Sequence, residues 1–371
     1  MNSNFIVRIW IEHSPAVAMP PPQVEVRFLH IAKCGGHSLH DLFEHAVASG
    51  QLPSQHDLGL GEGCLRTVPM QPRNPSHAYV RATTLRSPRS HLLSMYLQCH
   101  TWREGPAPYL DEFPKAVDGN GPLEERAAAD ALHRWLRYFD PHKWRHADAV
   151  QLRSGLHNDF ACYNPLSMQA RALTCGIGRN TSQHHVFGDE PPTTHYPSVA
   201  AALAGLGTMD HVGLIELFAE SWCLLLWRAG ATPLPASCDC RARAQAQQAR
   251  QQQVGAEQDG AADELATHSN SRTDDVQHPD RATLPKLTVG GLPADVLATM
   301  DRLTPADRAV YHVAAVRVVR DLLDAGADSG VTLLCPAALE AFVNETRYIP
   351  GLEEELHQLQ EGLRLNASVR R

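Results

Sequence analysis

The chain has 371 residues with 33 basic and 41 acidic side chains, a net charge of −8, and is 43% hydrophobic and 20% charged. That is globular chemistry with enough chain for a sizeable core, arranged as roughly two domains or as one large α/β domain with an insertion. The acidic balance excludes a general nucleic-acid binder, and no run of about 20 apolar residues exists to span a bilayer.

The opening apolar run Phe5–Ile11 is short and is broken by Arg8, so it reads as neither signal nor anchor. Residues 1–23 are expected to be an N-terminal tail on a soluble or truncated chain. After the Pro20–Pro22 run, Val24–Ile31 alternates and is β-branched enough to read as a strand. Lys33-Cys34-Gly35-Gly36 interrupts it, and Ser38–Val47 reads as a helix with Leu39, Leu42, Phe43 and Ala46 on one face. A polar stretch leads to a second strand, Ala78–Leu85, and Pro88 suits the first turn of a helix carrying Leu92, Leu93, Tyr96 and Leu97. Two strand–turn–helix units imply a parallel sheet.

Further helices are expected at Pro122–Phe139, Met168–Leu173 and Pro197–Leu206, followed by a buried strand His211–Ile215 and a helix Glu216–Trp227. From Arg241 to Gln253 every residue is Ala, Arg or Gln, which buries little. Residues 236–285 therefore read as a low-complexity insertion, largely disordered or loosely helical. Residues 24–235 and the helices of 286–345, with Leu297, Met300, Leu303, Tyr311, Val313, Val316, Val319 and Leu322, form one domain, and 346–371 is a charged helical tail. The nine cysteines show no CxxC pair and read as buried thiols rather than a disulfide framework, with Cys238 and Cys240 structural. The sequons at Asn180, Asn344 and Asn366 point the other way, towards a secretory lumen where disulfides form.

The strongest chemical signal is Phe28–Leu39, FLHIAKCGGHSL. A strand that ends in Lys-x-Gly-Gly and enters a helix makes a phosphate cradle, because glycines admit the anion to the backbone and the helix N-terminus adds its dipole. Lys33 adds a point charge and Ser38 a first-turn hydroxyl. The lysine precedes both glycines, unlike the nucleotide-hydrolase loop, where it follows the second. In the second signal, TTLRSPRSHLLSMY, Arg86 closes a strand and Ser94 follows eight residues on, with Ser90 on the same side of the helix. Such an Arg and Ser can hold a second phosphate.

Together the two motifs resemble the nucleotide site of the sulfotransferases that use 3′-phosphoadenosine 5′-phosphosulfate (PAPS). The segments CYNPLSMQARALTCG, HVGLIELFAESWCLL and LTPADRAVYHVA are similar to segments of the Golgi carbohydrate branch, such as the heparan sulfate 6-O- and galactose 3-O-sulfotransferases. The resemblance spans about Val24 to Leu323. It implies an α/β, P-loop-like three-layer fold, a central parallel sheet flanked by helices, with PAPS as co-substrate, the bisphosphate PAP as product and no metal. The implied nucleotide residues are Lys33, Cys34, Gly35, Gly36, His37, Ser38, Arg86 and Ser94. Cys34 stands where the family has Thr, His37 replaces the first Thr of a pair, Ser87 replaces a common Asp, and His91 stands where a second Arg often follows.

In-line sulfuryl transfer asks the protein mainly for positioning and charge stabilisation, a role Lys33 would fill at the bridging oxygen. A general base must also take the acceptor proton, and His is suited to it. The family's base lies between the two motifs, which selects His56 ahead of His77, His40 and Glu44. Asn164, Gln169, Arg171 and Glu216 are the acceptor-site candidates, the last at the end of a buried strand. With charge concentrated at Lys33 and Arg86, the acceptor tilts towards a neutral or lightly charged glycan, and no nucleic acid is expected. The resemblance implies the Golgi lumen or membrane, the latter only through an anchor that this sequence lacks. A non-catalytic relative and a phosphoryl-transfer enzyme are the alternatives, the second disfavoured by the absence of a Gly-Lys-Ser/Thr sequence and of an evident acidic magnesium strand.

Overall fold

A computed structural model of the protein describes residues 24–31, 33–52, 56–57, 77–101, 125–138, 165–174, 197–253 and 287–369, with positions 65 and 71. The strands are β1 (Val24–Leu29), β2 (His56–Asp57), β3 (Ala78–Leu85) and β4 (His211–Leu214). The helices are α1 (Gly36–Ala48), α2 (Pro88–Thr101), α3 (Glu125–Tyr138), α4 (Met168–Thr174), α5 (Val199–Gly207), α6 (Phe218–Arg228), α7 (Cys240–Gln253), α8 (Ala294–Leu303), α9 (Pro305–Ser329), α10 (Pro336–Thr346) and α11 (Leu352–Val369). The fold is mixed α/β, with a small parallel sheet among many helices.

Strand order is β2-β1-β3-β4, all neighbours parallel. Every residue of β1 is buried, as a parallel strand covered on both faces requires. Its one charged pair, Glu25 and Arg27, lies on one face of the strand, and the Arg27 Nε–H donates to Glu25 Oε1 at 2.7 Å. From β1 the chain moves outward to β2, and from β3 it moves the other way to β4. The order thus reverses between β1 and β3, and ligands of open α/β sheets bind outside the carboxyl ends of the strands at such a point. The turns that leave β1 and β3 there are the ones holding Lys33 and Arg86.

The main core joins the sheet to α1, α6 and α9. On α1 the expected stripe of Leu39, Leu42, Phe43 and Ala46 is buried, and Phe43 meets Trp222 of α6 edge to face at 5.0 Å. Each such side chain contributes about 1.5–3 kcal/mol by leaving water. On α9 the buried stripe is Val310, Tyr311, Ala314, Ala315, Val318, Val319 and Leu322, while Val313, expected with them, is 46% exposed. A second core packs α2, α3 and α8 through Leu92, Met95, Leu132, Trp135, Val296 and Met300.

One expectation is corrected and two segments are defined more closely. Cys223 bonds Cys238 and Cys240 bonds Cys335, so the Cys238-Asp239-Cys240 tripeptide carries two disulfides rather than buried thiols. The first part of the low-complexity segment is the helix α7, held by the second disulfide and by an ion pair from Arg243 to the buried Glu220 at 2.9 Å. The charged tail is the expected helix, α11, and Ile349, Leu352 and Leu356 bring it into the main core. Among the described residues, no helix is long and apolar enough to cross a membrane.

Candidate functional site

The turn after β1 is built by its own packing. Gly35 caps α1 at φ +76°, and a Cβ there would strike Ile215; a Cβ on Gly36 would strike the ring of the buried His30. Both glycines are therefore demanded by the fold itself: one permits the left-handed turn and the other lets α1 seat directly on the end of β1. Lys33 also holds a left-handed backbone, φ 59°, a conformation that non-glycine residues adopt sparingly. The Cys34 N–H is spent on the Ile31 carbonyl at 3.1 Å, and the Thr84 hydroxyl donates to the Cys34 carbonyl. The capping residue Gly35 brings no side chain to the first-turn amides of α1, an arrangement that suits an anion at the helix start. Ser38 is buried in that first turn. The side chain of His37 lies outside the described residues.

Arg86 joins the two turns. Its Nη1 donates to the Lys33 carbonyl at 3.4 Å, while its buried Nε has no hydrogen-bond partner among the described residues. A buried guanidinium N–H left open is a donor waiting for an acceptor. Ser94 is half-buried on the second turn of α2. Ser90, one turn earlier, donates to Glu345 of α10 at 3.0 Å.

Gln169 and Glu216, expected at the acceptor site, are instead fastened to the turns. The Arg86 N–H donates to Gln169 Oε1 at 2.9 Å, Gln169 Nε2 donates to the Arg86 carbonyl at 2.8 Å, and the Cys34 thiol donates to Gln169 Oε1 at 3.6 Å. Gln169 is 1% exposed, its oxygen taken by the Arg86 N–H and the Cys34 thiol and one of its two N–H donors by the Arg86 carbonyl. Glu216 accepts the Ser87 N–H at 2.7 Å and the Tyr311 hydroxyl at 2.6 Å. It thereby caps α2 and favours the helix dipole. Arg171 is half-buried in the last turn of α4, and Asn164 lies outside the described residues.

Sequence reasoning missed the groups that hold these in place. Asp307 accepts the Ala170 N–H at 2.7 Å, and the Ala306 N–H donates to Ser167 Oγ at 3.3 Å, so α4 and α9 cap one another. Burial raises the Asp307 carboxyl from 3.8 to about 7, against the lowering effect of the backbone N–H donors and of Arg171. Burial also pushes the Cys34 thiol well up, with Arg86 opposing, which leaves it an unreactive neutral thiol. Asp307 and Tyr311 both lie in the LTPADRAVYHVA segment, whose similarity was the only signal that could have found them.

For the base candidates, His56 sits in β2 opposite Val26, three residues before the end of β1 and so about 10 Å short of the sheet's carboxyl edge; its side chain lies outside the described residues. His77 immediately precedes β3, at the opposite edge of the sheet from the cradle. His40 lies 3.5 Å from Glu44 on the flank of α1. Among the described residues, no group of three or more His, Cys, Asp or Glu is arranged to hold a metal ion. Compared with protein-family models, characterised proteins and solved structures, the chain matches none.

Proposed function

We propose that this chain is a PAPS-dependent carbohydrate sulfotransferase on a P-loop-like fold, transferring a sulfuryl group to a glycan hydroxyl by in-line displacement. The observation that carries the reading is Arg86. Its guanidinium lies against the Lys33 carbonyl with Nε unsatisfied, beside a 13-residue helix that begins without a side-chain cap. Two cationic residues at the turns of one switch point suit a ligand with two phosphate groups, and the motif spacing suits PAPS. The orphaned guanidinium N–H and the glycines that strip side chains from the cradle fit that ligand.

In this reading Lys33, the first-turn amides of α1 and Ser38 hold the 5′ end, and Arg86 with Ser94 holds the 3′-phosphate. The bound donor supplies the sulfuryl group. Lys33 stabilises charge that develops on the leaving oxygen and Arg86 holds the nucleotide in line; the acceptor proton is assigned to His56 by its place between the two motifs, while β2 sets its backbone about 10 Å short of the sheet's carboxyl edge. The two disulfides, with the exposed sequon residue Asn344 on α10, support an oxidising lumen such as the Golgi. The net charge of −8 favours a neutral or lightly charged glycan. One observation favours a second reading, a binding protein without turnover: Cys34 is fully buried against Gln169 and contributes no side chain to the cradle.

Calorimetric titration with the bisphosphate PAP tests the nucleotide site. Binding is expected, and Lys33→Ala or Arg86→Ala should each weaken it by about 100-fold, the scale of a charge-assisted contact. Absence of binding, or binding that survives both substitutions, overturns the reading. Labelled-sulfate transfer from PAPS to neutral and anionic glycans then separates enzyme from binding protein, and turnover without magnesium excludes phosphoryl transfer.

A further inference from the structure

The donors at the start of α2, where the second phosphate is expected, already have acceptors supplied by the protein. Glu216 takes the Ser87 N–H, the Tyr348 hydroxyl takes the Arg89 N–H at 3.2 Å, and Glu345 takes the Ser90 hydroxyl at 3.0 Å. These three acceptors differ in how firmly they are held. Glu216 is locked by a second bond to Tyr311. Tyr348 is pinned by the Arg89 guanidinium, which stacks 3.9 Å from its ring centre while clamped to Asp301 at 2.9 and 2.6 Å. Among the described residues, Glu345, near the end of α10, makes one hydrogen bond, from Ser90.

Glu345 also stands within electrostatic reach of Arg86. It is the one anionic side chain here that a ligand could displace without dismantling a hydrogen-bonded cap. Around it are Arg86 before α2, Glu216 after β4, Tyr311 on α9 and Tyr348 beyond α10.

We propose that Glu345 is the specificity-determining residue of the second anion position: its carboxylate holds Ser90 in the unliganded protein and yields it to the 3′-phosphate. The inference rests on the nucleotide reading above and deepens it. A carboxylate at this spot stands in for the ligand's anion, and it must move away or take up a proton when a phosphate arrives. Withdrawal of the Glu345 carboxyl from water, together with the neighbouring Glu216 carboxylate, raises its proton affinity and eases the second route. A nucleotide that lacks the 3′-phosphate has no need to move it and gains nothing from its removal.

The test compares wild type, Glu345→Gln and Glu345→Ala by calorimetric titration with adenosine 3′,5′-bisphosphate and with adenosine 5′-monophosphate, thermal unfolding confirming that each variant is folded. Both substitutions should tighten the bisphosphate by about tenfold, the scale of removing one charge near a dianion at the protein surface, and leave the monophosphate unchanged. Equal changes for the two ligands, or none, overturn the inference while leaving the nucleotide reading intact. Failure of all three proteins to bind the bisphosphate overturns that reading and this inference with it.

Discussion

Arg86 and Gln169 exchange two hydrogen bonds, the Gln169 amide receiving the Arg86 N–H at 2.9 Å and donating to the Arg86 carbonyl at 2.8 Å. The pairing is that of two strand residues, but one partner is a side chain. A glutamine thus completes the end of β3 where no further strand can, and it fixes the residue whose guanidinium spans the two turns.

Gln169→Leu keeps the volume but orphans a buried N–H and a buried carbonyl. Urea unfolding should show a loss of about 2–6 kcal/mol, from about 1–3 kcal/mol per unsatisfied group. PAP affinity should fall as well, because Arg86 loses its backbone support. Unchanged stability would mean that the exchange contributes nothing.

Gly36→Ala drives a methyl into the His30 ring. Overpacking of this kind typically loses about 1–3 kcal/mol. In a His30→Ala background the same change should lose much less, and a double-mutant cycle measures the coupling. Equal losses in the two backgrounds would show that His30 is not what excludes the side chain.

His211 opens β4 with both ring nitrogens buried and unpartnered among the described residues, and burial with Arg228 and Arg317 nearby holds it well below 6.5. The folded protein keeps it neutral while the unfolded chain takes up a proton below 6.5. Its contribution to stability is therefore present above that pH and is lost as pH falls, by about 1.4 kcal/mol per unit at most. Relative to wild type, His211→Leu should therefore gain stability as pH falls from 7 to 5 in denaturant titrations; a difference constant with pH would show that His211 is protonated in the folded state.

Asp307 works in the opposite sense. Its folded value of about 7 lies above 3.8, so the unfolded chain releases the proton first. The stability it confers is present at low pH and is lost as pH rises from about 4 to 7. Between pH 4 and 6.5 it offsets His211 in the wild type. Asp307→Asn keeps an acceptor for the Ala170 N–H and abolishes the titration, so its stability relative to wild type should rise with pH. A constant difference would assign Asp307 an ionised role throughout.

On the proposed function, His56→Ala should lower the rate of sulfate transfer by about 100-fold or more, the usual range for a lost general base, with PAP affinity unaltered. Rates within a factor of two of wild type would remove His56 from the mechanism.

The βα units were legible because a buried parallel strand and an amphipathic helix differ in period, and the stripe on α1 matched residue for residue. The cradle's glycines were legible too, though the reason differs: Ile215 and His30 forbid side chains there, whatever is bound. What stayed hidden depends on contacts distant in sequence. Gln169 reads as an acceptor-site candidate until α4 is placed by Ser167, at φ 45°, and by Asp307, 137 positions beyond Ala170. Cysteine pairing was equally opaque, since four cysteines admit three connectivities and spacing alone does not choose. Val313 was misread because it sits one residue off the stripe through Tyr311 and Ala314.

The bond between Cys240 and Cys335 spans 95 positions and encloses α8 and α9 along with the whole Gln-rich segment. The chain is thus a covalent ring with two arms, the sheet on one and α10 and α11 on the other. A protease that cuts anywhere between residues 241 and 334 opens the ring without freeing either arm. The nicked protein would run at full mass on a gel until reductant is added, and only then part into two pieces.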